Sequence, residues 1–474
     1  MKPGSLSHAL GSAMGARVGM AVLNFGLFWF LSRRLGTATL GAYSLLMNIY
    51  YVTALVPLLG LSAPLTRRAA TERERVGPEL SNALLFAAPV TLALVCAVGG
   101  MGQLAYGPEL STPFWLLAAA LAASASTLVS ESTLMGLERV ADIARFQFGE
   151  ALLRAGLSVA AVALGFGLVG VFAVFAALRC ALALAYLAHP LLPRFDRRQL
   201  SADIQRRNWH EVPVFLGIGL LVMAGRVDMI VLSRLSGLQA VGVYAAAARL
   251  YDAALMLPTI AALSMMPTLA RLFAADRAYF RSVLLLAMQL SLGVGCALAL
   301  GVAALAQPLI DLLYRPEVGA AAPVLRWLIF GAVLMTLDQV LSSTMTAAKA
   351  QSHDLRALAL SFVALVCGLV VLVPRLQALG AAAAVTLALC VRVAYRVRWA
   401  VRLLALEHVA RDLLRIVASA VLGIAALLVA LPFGALAALA AALGAYAAAL
   451  ALTGAVRAGT IAGARGRLAA LFGR

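Results

Sequence analysis

Charged side chains are scarce in this chain. Asp, Glu, Lys and Arg make up 12% of the 474 residues, whereas hydrophobic residues make up 63%. An ordinary water-soluble domain carries about 25% charged residues, so this composition excludes a fold that has water as its only solvent. Apolar runs of about 20 residues, the length that crosses ~30 Å of hydrocarbon, follow one another along the sequence. We therefore predict an all-α polytopic membrane protein.

Side chains typical of catalytic and metal sites are also few. The five cysteines fall within apolar runs and never form a C-x-x-C pair, which indicates small buried hydrophobes. The five histidines lie at or near the ends of apolar runs and form no H-E-x-x-H pattern. The sequence also lacks a G-x-S-x-G elbow and a loop with paired carboxylates. We therefore predict a protein that is not an enzyme and that holds no cofactor or metal.

Long polar loops are missing as well. The hydropathy pattern predicts about 14 transmembrane helices separated by short loops, so no folded soluble domain fits between them. The predicted spans are 9–31, 42–64, 81–101, 113–135, 150–167, 169–189, 212–233, 240–267, 283–306, 323–346, 357–373, 378–395, 416–431 and 435–456.

The net charge of +18 is distributed unevenly along the chain. If the N-terminus is cytoplasmic, segments on the inner side carry 27 of the 38 basic residues, including all those from Arg392 to Arg415, and the outer loops carry five. This bias follows the positive-inside rule and predicts that both termini are cytoplasmic. It also accounts for the basic charge without nucleic acid, which we do not expect as a partner.

Part of the sequence occurs twice at an offset of 201 residues. Seven identities within one ungapped window relate the two copies: Ser32, Arg33, Gly36, Gly41, Tyr43, Tyr50 and Pro57 recur as Ser233, Arg234, Gly237, Gly242, Tyr244, Tyr251 and Pro258. Internal repeats in many-helix membrane proteins are typical of transporters with two halves around a shared substrate site.

A few charged residues lie deep within predicted spans, where each costs roughly 2.5 to 3.5 kcal/mol unless it has a partner or faces water. They are Arg17, Arg226, Arg249, Asp228, Asp252 and Asp338. We predict that the three arginines bind substrate in a wet cavity, because free arginines bind phosphate bidentately. The three aspartates are the candidates for coupling or charge balance. A structural ion pair is the alternative for each.

Helix spacing narrows the possible pairs. Arg249 and Asp252, at i and i+3, share one helix face and can neutralise each other, and Glu150 with Arg154 forms a predicted i,i+4 pair. Arg226 and Asp228, at i and i+2, point in different directions. We expect Asp228 to reach toward Arg249 on the next span.

Two short runs resemble signatures of a known family. Arg33-Arg34-Leu35-Gly36, with Gly41-Ala42-Tyr43 after it, is similar to the first-loop signature of polysaccharide biosynthesis proteins, the Wzx-type lipid-linked oligosaccharide flippases. The runs 228–232 and 241–250 resemble the signature of their seventh and eighth spans. These proteins belong to the multidrug/oligosaccharidyl-lipid/polysaccharide exporter (MOP) superfamily.

The resemblance implies two six-helix lobes related by a pseudo-two-fold axis around a central cavity, which spans one, two, seven and eight would line. The corresponding domains are 1–210 (spans 1–6), 211–408 (spans 7–12) and 409–474 (spans 13 and 14 with a cytoplasmic tail).

The implied function is a flippase of the bacterial inner membrane that moves undecaprenyl-pyrophosphate-linked oligosaccharide to the outer leaflet by alternating access, for surface polysaccharide biosynthesis. Expected partners are this glycan lipid, membrane lipids, a proton or sodium ion, and polysaccharide polymerase machinery. A multidrug/cation antiporter of the same superfamily and a peptidoglycan lipid-precursor flippase remain as alternatives.

Overall fold

The computed structural model describes residues 3–58, 60–210, 226–275, 277–348, 350–404 and 409–453, which form helices and short connections and contain no strand. The helices are α1 (Pro3–Arg34), α2 (Thr37–Ala54), α3 (Ser62–Thr71), α4 (Val76–Ala105), α5 (Pro108–Gly136), α6 (Val140–Ala163), α7 (Gly167–Leu187), α8 (202–210), α9 (Asp228–Ala275), α10 (Arg277–Leu313), α11 (Ala321–Ala347), α12 (Gln351–Leu404), α13 (Val409–Ala430) and α14 (Ala435–Thr453). Short 3-10 turns lie at Val56–Leu58, Arg73–Arg75, Arg197–Gln199, Pro316–Val318 and Leu431–Phe433.

The predicted fold class is confirmed. Ten helices among the described residues are long and apolar enough to cross a membrane. One of the ten, Gln351–Arg402, contains two predicted spans, because the chain reverses at Gln377 (φ 49°, ψ −124°). The helices α1 and α6 are not among the ten, although their lengths of 32 and 24 residues suffice for a span. The seventh predicted span lies largely within 211–225, outside the described residues.

Each copy of the repeat contains a glycine between two helical segments. Gly36 lies between α1 and α2 with φ −66° and ψ 163°. Gly237 occupies the same place in α9 with φ 81° and ψ 175°, and it divides that helix into a short and a long arm. The tyrosines that follow, Tyr43 and Tyr244, are both buried. The repeat therefore places a glycine between two helical segments in both copies, while the φ of the two glycines differs.

Contacts divide the chain into two compact units, Met1–Ile230 (unit 1) and Val231–Arg474 (unit 2). In unit 1, α5 is the central helix and packs against α2, α3, α4, α6 and α7. Gly136, at its end, allows close approach to α3, because a Cβ there would meet the Thr66 carbonyl and the Ala69 side chain. Small residues give such backbone proximity where lipid provides no hydrophobic drive for helix association.

The segment that follows α7, residues 188–210, is called the linker here, and hydrogen bonds and ion pairs join it to α3 and the beginning of α4. Arg68 Nη1 donates to Glu79 Oε2 at 3.0 Å and to Asn208 Oδ1 at 2.8 Å. Arg207 donates to the other oxygen of Glu79. Arg68 and Glu79 are 4% and 2% exposed, so this carboxylate and its arginine partners form a buried network rather than a solvated basic loop.

Asn82 makes the second attachment of the linker. Its side chain donates to the Gln199 carbonyl at 3.0 Å, and its Oδ1 accepts from the Ser201 amide and from Gln205 Nε2, both at 3.1 Å. Asn82 is fully buried, so these bonds replace water that cannot reach its amide.

Unit 2 is assembled around α10 and α11. The helix α10 packs against α11, α13 and α14, and α11 packs against α12. The two arms of α12 are antiparallel: Ser361 Oγ donates to the Ala388 carbonyl at 3.0 Å, and Gly368 lies against Ala384. Tyr446 of α14 donates to the Gly293 carbonyl at 2.9 Å, which ties the C-terminal helix pair to α10. The predicted division into domains at 210 and 408 stays a prediction.

The two repeat glycines give a matched test of backbone strain. We expect Gly237→Ala to destabilise the protein by about 1–3 kcal/mol, because its φ and ψ lie in a region that is essentially restricted to glycine. Gly36→Ala is the control, since Gly36 has an ordinary φ and open space around a built Cβ. Thermal unfolding of the detergent-purified variants measures both effects. Equal unfolding temperatures would contradict the assigned conformation of Gly237.

The buried amide of Asn82 gives a second test. Asn82→Ala removes its side-chain bonds to the linker, and we expect a loss of about 1–3 kcal/mol. We also expect faster proteolysis within 188–201, measured by mass spectrometry of the fragments. Gln103→Ala, at an exposed position of α4, is the control. Unchanged cleavage in a destabilised Asn82 variant would show that the linker is held by other contacts.

Candidate functional site

Two of the predicted site residues lie where α9 begins. Arg226 precedes the helix and has an exposed side chain, and its carbonyl accepts a hydrogen bond from Asn48 Nδ2 at 2.8 Å. Asp228 is the first residue of α9 and is half-buried. A carboxylate at this position is stabilised by the positive end of the helix dipole. A cation and an anion, Arg226 and Asp228, thus lie two residues apart at the start of α9.

Arg249 and Asp252 follow in the long arm of α9. Arg249 is half-buried and interacts electrostatically with Tyr314, whose hydroxyl lies 3.4 Å from the Ala246 carbonyl. Asp252 is exposed, and both Arg249 and Asp252 have interaction partners. The expected contact between Asp228 and Arg249 stays a prediction.

Arg17 lies on α1, and its side chain is outside the described residues.

Asp338 lies inside unit 2 and is 4% exposed. Its Oδ2 is 2.9 Å from Arg392 Nη2, and its Oδ1 is 2.7 Å from Arg396 Nη1. Both arginines come from the second arm of α12, and Arg396 is itself 3% exposed. The structure therefore brings Asp338 together with two arginines of the basic segment that begins at Arg392, and the cytoplasmic location of that segment stays a prediction.

A second carboxylate completes this group, which we call the α11–α12 cluster (Asp338, Asp354, Arg392, Arg396). Arg396 Nη2 is 2.5 Å from Asp354 Oδ1. Two carboxylates and two guanidiniums leave the α11–α12 cluster neutral. The surrounding helices can bury such a group, because each charge has an opposite charge in contact.

Sequence reasoning missed Arg392 and Arg396 because they lie near the basic end of a span. The available signal was their i,i+4 spacing, which places both guanidiniums on one helix face. That spacing is typical of a face directed at one acidic partner. It does not identify which helix supplies the partner.

Unit 1 contains a different buried group, which we call the α6–α7 cluster (Glu150, Arg154, Arg179). Arg154 Nε is 3.9 Å from Glu150 Oε1, and Arg179 Nη2 is 3.8 Å from Glu150 Oε2. The side chains of Glu150, Arg154 and Arg179 are 8%, 7% and 18% exposed. The predicted Glu150–Arg154 pair is confirmed, and Arg179 joins it from the neighbouring helix.

Aromatic rings and one amide enclose the α6–α7 cluster. Asn24 of α1 accepts a hydrogen bond from Arg154 Nη2. The guanidinium carbons of Arg154 and Arg179 lie 5.6 Å and 5.5 Å from the centre of the Phe175 ring, and Arg179 lies 5.4 Å from that of Tyr50. Each desolvated cation–π contact contributes about 1–2 kcal/mol, which offsets part of the cost of burying the guanidiniums.

Glu131 on α5 is a further carboxylate of unit 1, and its hydrogen-bond partners are neutral. Its Oε1 accepts from Gln147 Nε2 at 2.9 Å and from the Tyr186 hydroxyl at 3.1 Å. No ion pair within 4.0 Å joins Glu131 to an arginine among the described residues. The α6–α7 cluster therefore contains two cations in contact with a single anion, in contrast to the neutral α11–α12 cluster.

The buried ion pairs of Asp338 can be tested directly. We expect Asp338→Asn to cost about 3–5 kcal/mol, because it leaves two guanidiniums inside unit 2 with one carboxylate fewer. The measurement is the unfolding temperature and the folded yield in detergent. Asp311→Asn, at an exposed site on α10, is the control and should leave both unchanged. An Asp338 variant as stable as the control would show that this cluster carries no net stabilisation.

The fold matches solved structures of membrane transporters. The chain is similar to a lipid II flippase, MurJ, in an inward closed conformation, with a TM-score of 0.72 and 13% identity over 93% of this chain and 98% of that chain. It is also similar to an inward-facing multidrug resistance MATE family transporter of the MOP superfamily, with a TM-score of 0.65 and 15% identity over 81% and 94% of the two chains. A MOP superfamily transporter from Pyrococcus furiosus matches with a TM-score of 0.60 and 16% identity over 85% and 95%. At these identities the likeness shows a shared fold.

Family models match two parts of the sequence. The polysaccharide biosynthesis protein model matches residues 10–273, which is more than half of the chain, and the MatE model matches residues 213–373. No curated protein sequence matches the chain. The resemblance predicted from the two short sequence runs is confirmed, and this multi-pass membrane protein belongs to the polysaccharide biosynthesis protein family.

Proposed function

We propose that this protein is a flippase of the bacterial inner membrane that moves undecaprenyl-pyrophosphate-linked oligosaccharide from the cytoplasmic to the outer leaflet by alternating access. The proposal includes cytoplasmic N- and C-termini, in line with the excess of basic residues on one side of the predicted spans. Its partners would be the glycan lipid, the surrounding membrane lipids and the polymerase machinery that uses the product.

The observation that carries the proposal is the combination of family and architecture. The chain belongs to a polysaccharide biosynthesis family, and its described part consists of helices in which the longest connection is residues 188–201. Such a connection is too short to hold a soluble catalytic domain. A protein of this pathway that lies almost wholly in the membrane is suited to moving an intermediate across the bilayer.

A glycan lipid needs such a protein, because its polar part cannot cross hydrocarbon. Each unsatisfied polar group there costs several kcal/mol, so a protein cavity must replace water while the prenyl chain stays in lipid. In our proposal the pyrophosphate binds to Arg17, Arg226 and Arg249. Bidentate hydrogen bonds between guanidinium and phosphate oxygens give both charge and geometry.

The aspartates have separate roles in this proposal. Asp228 and Asp252 compete with phosphate for the arginines and restore the empty site after release. Asp338 balances charge within unit 2, since two arginines already contact it. The sequence has no P-loop, so a membrane potential, which supplies ~2.3 kcal/mol per charge per 100 mV, or a proton or sodium gradient would drive the cycle.

The two alternatives differ in the charge or the identity of the cargo. A multidrug/cation antiporter favours a net negative binding site, whereas the residues that we propose to bind substrate are the arginines Arg17, Arg226 and Arg249. A peptidoglycan-precursor flippase would carry a headgroup with the same phosphate chemistry, so charge does not separate it from our proposal. The difference lies in the sugars.

The decisive experiment follows the cargo in cells. Deletion of the encoding gene should cause lipid-linked glycan to accumulate on the cytoplasmic leaflet, and the wild-type chain should restore export. Accumulation of peptidoglycan precursor instead would support the second flippase. Unchanged glycan lipids combined with drug sensitivity would support the antiporter, and both results would overturn the proposal.

The role of Arg249 gives a specific prediction. Arg249→Ala should abolish complementation, a reduction in export of about a hundredfold or more, while the protein stays in the membrane at a normal level. Arg315→Ala, at an exposed position between α10 and α11, is the control and should export normally. Glycan export is measured by surface labelling alongside immunoblots of membranes. Full export by a well-expressed Arg249 variant would remove this residue from the site.

A further inference from the structure

We infer that the α6–α7 cluster of unit 1 is a binding site for an anion, either a small inorganic anion or an oxygen of a phosphate group. The ligand would bind the guanidiniums of Arg154 and Arg179, beside Glu150. This site is separate from the predicted substrate-binding residues Arg17, Arg226 and Arg249, and it holds whether or not the cargo proposed above is correct.

Hydrogen-bond donors without partners are the first argument. Arg154 Nε and Nη1 and Arg179 Nε are buried and have no hydrogen-bond partner in the part of the chain that the structure describes, and the same holds for Glu150 Oε1. In the α11–α12 cluster one donor of each arginine, the Nε of Arg392 and of Arg396, is likewise unpaired, whereas Arg154 has two unpaired donors. Arg154 is more than nine-tenths buried, so bulk water does not surround these N–H groups. Buried donors of this kind normally have partners, because leaving a donor unpaired costs about 1–3 kcal/mol, and more for a charged group.

The distances to Glu150 are the second argument. Its oxygens lie 3.9 Å and 3.8 Å from the two arginines, beyond the 2.7–3.2 Å range of N–H···O bonds. The ion pairs of Asp338 in unit 2 are closer, at 2.7 and 2.9 Å. Glu150 therefore lowers the positive charge of its cluster without occupying the arginine donors.

The charge balance is the third argument. Two arginines with one glutamate leave one positive charge in a buried place, and an uncompensated buried charge costs several kcal/mol. The second carboxylate nearby, Glu131, accepts hydrogen bonds from Gln147 and Tyr186 instead of from either arginine. An anion in the cluster would supply both the missing charge and acceptors for the free N–H groups.

The surroundings give the site a route of entry. Tyr51 interacts with Arg154 through charge and a side-chain hydrogen bond and is 46% exposed, so the cluster extends to a partly exposed side chain of unit 1. Phe175, which is in contact with both guanidiniums, is 2% exposed. A cationic and aromatic site with a partly exposed tyrosine at its edge suits a ligand that exchanges with the medium.

The test uses the full chain purified in detergent or nanodiscs in gluconate buffer, with radiolabelled chloride as the probe. We expect saturable chloride binding, and we expect Arg154→Gln to weaken it by about tenfold or more, because one guanidinium is lost. Arg326→Gln is the matched control: this arginine also lies within a span, and its Nε donates to the Ala303 carbonyl at 3.3 Å. Binding by the control should equal that of the wild type.

The Glu150→Gln variant distinguishes a change in binding from a loss of folding. Removal of this negative charge should tighten chloride binding by about tenfold, a gain that a misfolded protein cannot produce. The absence of saturable binding to the wild type, or equal binding by the Arg154 and Glu150 variants, would overturn the proposal and would mean that water occupies the donors.

A competition experiment identifies the source of the anion. If inorganic pyrophosphate displaces chloride from the wild type and fails to do so in Arg179→Gln, the site recognises the phosphate group of a substrate or lipid. If pyrophosphate does not compete, the site holds a resident inorganic anion. Both results support the anion site, and displacement by pyrophosphate that is unaffected by Arg179→Gln and Arg154→Gln would contradict its location.

Discussion

A charged side chain inside a bilayer must find its partner within the protein, because hydrocarbon offers neither counter-ions nor water. This constraint accounts for the polar groups in both units. In unit 2, Asp338 contacts Arg392 and Arg396, and the resulting group is neutral and buried. In unit 1, Glu150 faces Arg154 and Arg179 at longer distances, and the charges do not cancel. The two clusters thus differ under the same constraint, because one is neutral and the other keeps an excess positive charge.

The buried charges differ between the two units although each unit contains one copy of the repeat. Both copies place a glycine, Gly36 or Gly237, between two helical segments and a buried tyrosine after it, although the φ of the two glycines differs. The buried charges lie on later helices of the units, outside the repeated window. The two copies of the repeat therefore belong to units with different interior charges.

The buried polar groups that contact the linker of unit 1 also have their partners within the protein. Glu79 and Asn82 are buried and bind residues that lie more than 100 positions later in the sequence, between Gln199 and Asn208. Beyond the 211–225 segment, the Arg226 carbonyl again binds unit 1 through Asn48. Both flanks of that segment are therefore attached to the first unit before α9 continues into the second.

The sequence by itself determined the class of the protein. Apolar runs, the positive-inside bias, the repeat and two short runs around Gly36 and Gly242 predicted a helical membrane protein of this family, because these features depend only on local composition and period. The Glu150–Arg154 pair was also predictable, since both residues lie on one helix face. Only the tertiary structure decided which helices are neighbours. It alone joined Asp338 to Arg396, Glu79 to Arg207 and Arg179 to Glu150, because helical periodicity gives the direction of a side chain and says nothing about the distant segment that packs against it.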